Sequence, residues 1–379
     1  MRFSLTPEQE MIRKVVKDFA DKEVAPLAAE IDETCEFPAK NVQTMCDLKM
    51  MGIPFPQDLG GAGADNVSYA ITVEELSRAC STTGVICSAH TSLCCWPIYR
   101  YGTDDQKEKY LRPLLEGDLL GAFALTEPNA GTDASAQETR AELDGDEYVL
   151  NGSKIFITNA GAADVFVIMA MTDKSKGVRG ISAFIVEKDT PGFSLGKKED
   201  KMGIRASDTR ELIFENCRIP KENLLGREGQ GFKIAMATLD GGRIGIASQA
   251  VGIAQRALDE SIQYVKEREQ FGRPIAKFQA VQFSIAEMAT KIEAARLLTY
   301  EAAEKKDRGE RYSKEAAMAK YYASEVAMEV TTKAVQLHGG YGFTKEYPVE
   351  RLMRDAKITE IYEGTTEAQK MVIAGNLLR

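Results

Sequence analysis

The chain has 379 residues, 57 acidic and 48 basic, with a formal net charge of -9, 44% hydrophobic and 28% charged residues. That balance is an ordinary globular one, long enough for two or three packed units, and it excludes disordered, collagen-like and coiled-coil readings. With no dense Lys/Arg block the chain lacks the basic face of a duplex binder, and no run of about 18 apolar residues is present to span a membrane.

The N-terminal segment carries acidic residues early and has no apolar stretch of signal-peptide type. Neither a secretory signal nor a transit peptide is expected, and the expected reading is the cytoplasm of a prokaryote or a mature form already trimmed. Residues 1–120 read as a helical domain. Thr6-Pro7-Glu8-Gln9 has the form of a capping box with Pro at the first helical position. Met11, Val15 and Phe19 recur four apart and predict one apolar face. Gly60-Gly61-Ala62-Gly63 reads as a loop. Asp104 to Leu114 reads as a helix that Gly117 breaks.

Residues 121–230 change period. Asp144-Gly145 predicts a turn between two extended runs, and Asn151-Gly152 predicts another. Short apolar runs follow at Val165–Met169, Ser182–Val186 and Leu212–Phe214. Strands this closely spaced, without helices between them, predict an antiparallel β domain. From residue 231 to 379 the helical period returns. Val281, Ile285, Met288, Ile292 and Ala295 form one stripe. Ser313 is the expected cap of a third helix, and Thr366-Glu-Ala-Gln369 the expected capping box of the last. The expected fold class is α+β: an N-terminal helical domain, a middle antiparallel β domain and a C-terminal four-helix bundle.

Composition also narrows the chemistry. The seven cysteines include no C-x-x-C pair, which favours reduced thiols, and Cys94-Cys95 read as small buried hydrophobes. Only His90 and His338 are available, in no zinc or catalytic-triad motif, so no metal site is expected. Neither a Walker nor a Rossmann glycine motif occurs, so a nucleotide cofactor must be held in another way.

Three segments carry chemistry. The loop Phe123–Asp133 offers backbone donors suited to a planar heterocycle or a phosphate, though a plain turn explains it equally well. The strand end Lys154–Ala160 presents an aromatic ring and a hydroxyl; by itself such a Phe is more often core. Ile361-Tyr362-Glu363-Gly364-Thr365 sets a carboxylate just before a helix, with a glycine that permits close ligand approach.

Taken with Arg268-Glu-Gln-Phe-Gly-Arg-Pro-Ile275 and Gln336-Leu-His-Gly-Gly-Tyr-Gly342, these segments resemble the acyl-CoA dehydrogenase family, in its order and over essentially the whole chain. Lys197–Arg205 and Leu239–Gln249 are most similar to its short-chain (butyryl-CoA) members. The resemblance implies FAD as cofactor, with Phe123, Leu125, Thr126, Thr132, Phe156, Ile157 and Thr158 along the flavin. It implies Arg268, Phe271, Gln279, Gln336, Gly339 and Gly340 against FAD bound mainly by a neighbouring subunit. Thr365 and Glu367 would border the cofactor again; Glu367 departs from members that carry Gln there. Thr132, Asp240, Arg243 and Gly364 would contact the acyl-CoA. For Asp240 and Arg243 the residues alone also allow a surface ion pair at i,i+3.

Glu363 matches the family base that takes the α proton while flavin N5 accepts the β hydride. Some relatives carry the base just before the position of Arg243, where this chain has Gly242. The resemblance further implies a homotetramer and an electron-transferring flavoprotein as partner, with no nucleic acid. Two alternatives differ. A glutaryl-CoA-type enzyme needs a cation for the distal carboxylate, and Gly84–Leu93 offers no Arg. A non-catalytic nucleic-acid-binding homologue would need a basic patch.

Overall fold

The computed structural model describes residues 4–378; Met1–Phe3 and Arg379, at the ends of the two expected outer domains, lie outside it. Helices come first, then a sheet, then helices again.

The first helix, Pro7–Phe19, starts on the capping box: Thr6 Oγ1 accepts from Gln9 N–H at 3.2 Å, and Gln9 Oε1 accepts from Thr6 N–H at 2.9 Å. Its buried face differs from the expected one. Met11 is 62% exposed and Val15 48%, whereas Val16 and Phe19 are buried. The stripe runs 12-16-19 because a 3.6-residue turn rotates that row, with Ile12 partly buried, onto the helix Asn66–Ala79. Asn66–Ala79 is buried all round. It lies between the N-terminal helices and the first bundle helix, Gly231–Glu267. Asp104–Glu116 is helical with an i→i+5 segment at Lys107–Leu111, and it ends at Gly117, which has φ 93°.

The middle region is one sheet of eight strands: β1 (Gly121–Ala124), β2 (Arg140–Asp144), β3 (Glu147–Ile157), β4 (Val165–Met171), β5 (Ile181–Glu187), β6 (Phe193–Lys198), β7 (Arg210–Pro220) and β8 (Leu224–Leu225). They run in the order β6-β7-β3-β2-β4-β5-β8, with β1 beside β4. Gly145 turns β2 into β3, as expected. Asn151-Gly152 makes no turn: β3 continues through it, and the pairing with β7 shifts register there. Gly152 relieves the strand as a bulge rather than reversing it. The sheet is also not purely antiparallel. β1 pairs with β4 in parallel, and Arg140 of β2 pairs with Met171 in the same sense. The return from β1 to β4 passes through the whole β2–β3 hairpin, which leaves the two strands running the same way.

Three long helices form the C-terminal region with shorter ones: Gly231–Glu267, Gln279–Asp307 and Ser313–His338, then Val349–Lys357 and Thr366–Leu377. Met288, Ile292 and Ala295 are buried as the stripe predicted. The core between the long helices is rich in alanine, including Ala250, Ala254, Ala316, Ala319, Ala323 and Ala327. Small side chains let the helix axes approach closely.

Ser313 does not cap the third long helix. Tyr312 precedes the first turn, and Ser313 Oγ donates to Asp240 instead. The last helix is capped by Thr365, whose Oγ1 accepts from Ala368 N–H at 3.3 Å. The expected box on Thr366 and Gln369 does not form, because Gln369 turns back toward the preceding loop.

His90 is a satisfied core residue. Nδ1 accepts from Gly121 N–H at 3.0 Å, which leaves Nε2 to donate to Leu114 O at 3.2 Å, and burial pulls its pKa down to about 4. Cys94 and Cys95 are fully buried, and burial pushes the Cys94 thiol up to about 12 and that of Cys95 well above its usual range. Neither is a reactive thiol. No helix among the described residues is long and apolar enough to cross a membrane.

Candidate active site

The short loop between Val349–Lys357 and the last helix carries Glu363. Its backbone is left-handed at two successive residues, φ 52° at Glu363 and 98° at Gly364. Glycine tolerates such a φ freely; glutamate does not, so the surroundings must hold it there. Two buried donors do so. Gln369 Nε2 reaches Glu363 O at 3.2 Å and Gly364 O at 2.9 Å, and Lys320 Nζ reaches Gly364 O at 2.6 Å. Both Gln369 and Lys320 are fully buried.

The turn aims the Glu363 side chain inward against the first bundle helix. A Cβ on Gly242 would lie 2.0 Å from Glu363 Oε2. Glycine at 242 therefore makes room for the carboxylate. The same position is where a base on that helix would stand, so the two placements reach one point from opposite walls. Glu363 as a residue is half-buried, but Oε2 is out of solvent and has no hydrogen-bond partner among the described residues. Burial pushes its pKa up to about 7, against the opposing pull of Lys320 and Arg243. A carboxyl group at that value changes charge near neutrality, the range in which a general base works best.

Arg243 is no surface residue. It is 6% exposed, paired to Asp240 one helical turn away, and its Nε is unpartnered. Burial lowers its pKa, while Asp240 and then Glu363 oppose that effect. Beside Glu363, Tyr362 donates to Gln249 Oε1, and Gln249 Nε2 donates to Ser81 O at 3.1 Å.

A second group of expected residues gathers at the end of the sheet. Phe123 and Leu125 are buried, and the loop beyond them is open at Thr132. Ile155 N–H donates to Thr126 O at 2.9 Å and ties this loop to β3. Phe156 is 60% exposed with φ 58°, so it is not core; Ile157 is buried and Thr158 half-buried. Underneath, Lys154 is fully buried and donates to Glu127 Oε1 at 2.7 Å, Gln137 Oε1 at 3.1 Å and Leu125 O at 3.2 Å.

A third group sits in a cleft of about 510 Å³, where Arg268, Gly339 and Gly340 meet with Tyr264, His338 and Tyr341. The Arg268 guanidinium lies 5.7 Å from the centre of the Tyr341 ring. Phe271, 95% exposed, and Gln279 and Gln336, both exposed, are not brought into that cleft. Thr365 is taken up by capping and Glu367 is exposed. A larger cavity, about 1020 Å³, lies elsewhere, between the N-terminal helices and the second long bundle helix. Arg13, Glu74, Arg296 and Tyr300 bond to one another along it, and none of the expected site residues lines it.

Three family models match in chain order: the acyl-CoA dehydrogenase N-terminal domain over residues 6–118, the middle domain over 122–217 and the C-terminal domain over 229–378. The chain belongs to the acyl-CoA dehydrogenase family. An acyl-CoA dehydrogenase of Clostridium acetobutylicum described as short-chain specific is 62% identical over the full length of both chains. The butyryl-CoA dehydrogenase of Megasphaera elsdenii superposes with a TM-score of 0.99 at 54% identity, covering all of both chains. A chain from the structural work on the electron transferring flavoprotein of Acidaminococcus fermentans and flavin-based electron bifurcation superposes equally well at 59% identity over both full chains.

Acyl-CoA dehydrogenases are FAD enzymes, and the residues here fit the group. Unpartnered buried polar atoms at Glu363, Thr366 and Gln369 cluster at one loop. An outward-facing Phe156 and the cleft at Arg268 and Gly340 provide a ring platform and a cation beside open backbone. Lys320, Gln369 and the Lys154–Glu127 pair escaped the sequence reading. A trace of Lys320 was present: it interrupts the row Ala316, Ala319, Ala323, Ala327 on the helix face that packs inward.

Proposed function

We propose that this acyl-CoA dehydrogenase oxidises a short-chain acyl-CoA, with butyryl-CoA preferred, and that Glu363 is the base that removes the α proton. The observation that carries the assignment is the Glu363 carboxylate itself: withdrawn from solvent, unpartnered at Oε2 among the described residues, and facing Gly242 on the first bundle helix, where any side chain would collide with it. Bound FAD supplies the acceptor for the hydride that leaves the β carbon.

The chain's own residues do the rest. The backbone N–H groups of the left-handed turn at Glu363 and Gly364 would be available to polarise a thioester carbonyl. Polarisation acidifies the α C–H, and Glu363 receives that proton. Arg243, held by Asp240, contributes positive charge near Glu363. Phe123, Leu125, Thr126, Thr132 and Phe156–Thr158 would hold the flavin ring. Arg268, Gly339 and Gly340, joined by Phe271, Gln279 and Gln336, would hold cofactor across a subunit contact. The exposure of Phe271 at 95% and Phe343 at 90% supports such a contact in a homotetramer. The similarity to the Acidaminococcus chain supports an electron-transferring flavoprotein as electron acceptor. The seven free cysteines suit a reducing, cytoplasmic setting. Domain limits at about residues 120 and 230 follow the sheet's ends.

A glutaryl-CoA-type reaction is less well supported. The segment Gly84–Leu93 is buried and has His90 as its one basic side chain, which burial keeps neutral. It supplies no cation for a distal carboxylate. Anaerobic flavin bleaching against acyl-CoAs of graded length tests the substrate: butyryl-CoA is expected to give the highest kcat/KM. A far higher value for octanoyl-CoA would overturn the short-chain assignment.

A further inference from the structure

Lys320 stands on the third long bundle helix, among alanines, and among the described residues no carboxylate is bonded to it. A buried ammonium ordinarily pairs with an acid, because the uncompensated charge is costly. Here its one hydrogen bond goes to a main-chain carbonyl, Gly364 O, immediately after Glu363. Burial pulls its pKa down to about 8, so it remains largely protonated at neutral pH, and Glu363 is the foremost group opposing that fall.

We propose that Lys320 is a positioning residue for the catalytic base, its buried ammonium clamping the Gly364 carbonyl so that the left-handed Glu363–Gly364 turn is held and a fixed positive charge faces the Glu363 carboxylate. The inference rests on Glu363 being the base. Gln369 supplies the second half of the clamp but is neutral. Removal of Lys320 therefore leaves Gly364 O with one donor and takes away a charge. The two effects separate, because a lost hydrogen bond disturbs geometry at every pH, whereas a lost charge moves the titration of the base.

The surroundings of Glu363 define what the measurement reads. Arg243 faces it from the first bundle helix with Asp240 attached, Tyr312 is near that pair, and Tyr69 faces it from Asn66–Ala79. Tyr362, Glu360 and Glu367 belong to its own loop and the helix start, and the last two also act on Lys320. Among these, Lys320 and Arg243 are the groups that pull the base downward against burial. With Lys320 gone, Glu363 needs a higher pH to carry its charge.

The test is the pH profile of flavin reduction, by anaerobic stopped flow with butyryl-CoA, on FAD-loaded enzyme. Lys320→Met is expected to move the acid limb about one unit or more toward alkaline pH. Its rate would then be depressed at pH 7 and recover in large part at pH 9. Lys320→Arg, which keeps the charge, should bring the limb back toward the wild-type position. If Lys320→Met does not yield soluble holoenzyme, Lys320→Gln carries the same expectation, since it can keep a donor for Gly364 O but not the charge. A limb that stays in place in the neutral variant, with the rate lowered equally at all pH, overturns the proposal and leaves Lys320 a structural residue. Glu363→Gln, measured in parallel, isolates the underlying assignment: if it still reduces flavin, the base itself is misassigned, whatever Lys320 does.

Discussion

Two lysines in this protein are equally withdrawn from solvent, and they serve opposite ends. Lys154 lies in β3 with a carboxylate, a side-chain amide and a main-chain carbonyl around its ammonium. Glu127 in turn accepts from Glu138 N–H at 2.6 Å and Thr139 N–H at 3.1 Å, so every member of the group is satisfied. Burial would raise the Glu127 pKa, but Lys154 and the hydrogen bonds from Glu138 and Thr139 together outweigh it and the net shift is downward. Lys320 has a single carbonyl, and the carboxylate it faces keeps an oxygen free. Both ammonium groups are lowered to about 8, chiefly by burial. A saturated buried pair locks a loop in place. An unsaturated one leaves an acid near neutrality and available for proton transfer.

Breaking the unsaturated side should cost most in rate and least in stability. Glu363→Gln is expected to abolish flavin reduction by at least the 10²–10⁴-fold typical of a general base, while FAD and acyl-CoA still bind. It should also stabilise the fold at alkaline pH. Because the folded pKa of about 7 lies above the usual carboxylate value of 4.5, the stability linked to the protonated form is lost as pH rises between them. The Tm advantage of the Gln variant should thus be small at pH 5 and largest at pH 8. An equal advantage at both values would contradict the burial argument.

On the saturated side the weighting reverses. Lys154→Met leaves the buried Glu127 carboxylate without its countercharge, and breaking such a pair costs about 3–5 kcal/mol. Denaturant unfolding should show that loss, and the apoprotein should bind FAD more weakly, since the loop Leu125–Thr132 is freed. A stability change under about 1 kcal/mol would show that the pair is dispensable.

Gly242→Ala sharpens the comparison from the opposite wall. The new methyl would lie 2.0 Å from Glu363 Oε2 and must displace it. A shift of about 1 Å in a reacting group costs on the order of 10²-fold, so kcat should fall by that order with FAD content unchanged. Wild-type turnover in this variant would mean the carboxylate works from another position.

The smallest effect is expected at the cap. Thr365→Ala removes one acceptor at the last helix and should cost about 1 kcal/mol in unfolding experiments. The rate should change little, because Gln369 and Lys320 still hold the turn from within.

Much of this arrangement is legible in the sequence alone. The period changes near residues 120 and 230 reflect whether a chain buries one stripe or alternate residues, and that choice is local. The Thr6–Gln9 box and the Gly145 turn are local as well, closed by residues within a few positions of one another. The misreadings share a cause. Asn151-Gly152 and Thr366–Gln369 have turn and capping chemistry, but other partners claimed their groups: β7 across the sheet in one case, the carbonyls of the Glu363–Gly364 turn just upstream in the other. Met11 and Val15 are apolar, yet the packing of Asn66–Ala79 chose the row beside them.

By itself the sequence determined the family, the order of helices and strands, and the carboxylate at 363, because these rest on residue identity and short-range pattern. Only the tertiary structure decided that Arg243 is buried beside that carboxylate rather than exposed, that Gly242 is the space it occupies, and that Lys320, 43 positions away, holds its turn. The physical reason is that a charge takes its meaning from what surrounds it. Burial and neighbouring charge move a carboxyl from its ordinary range to about 7, and both are properties of three-dimensional packing that no local pattern encodes.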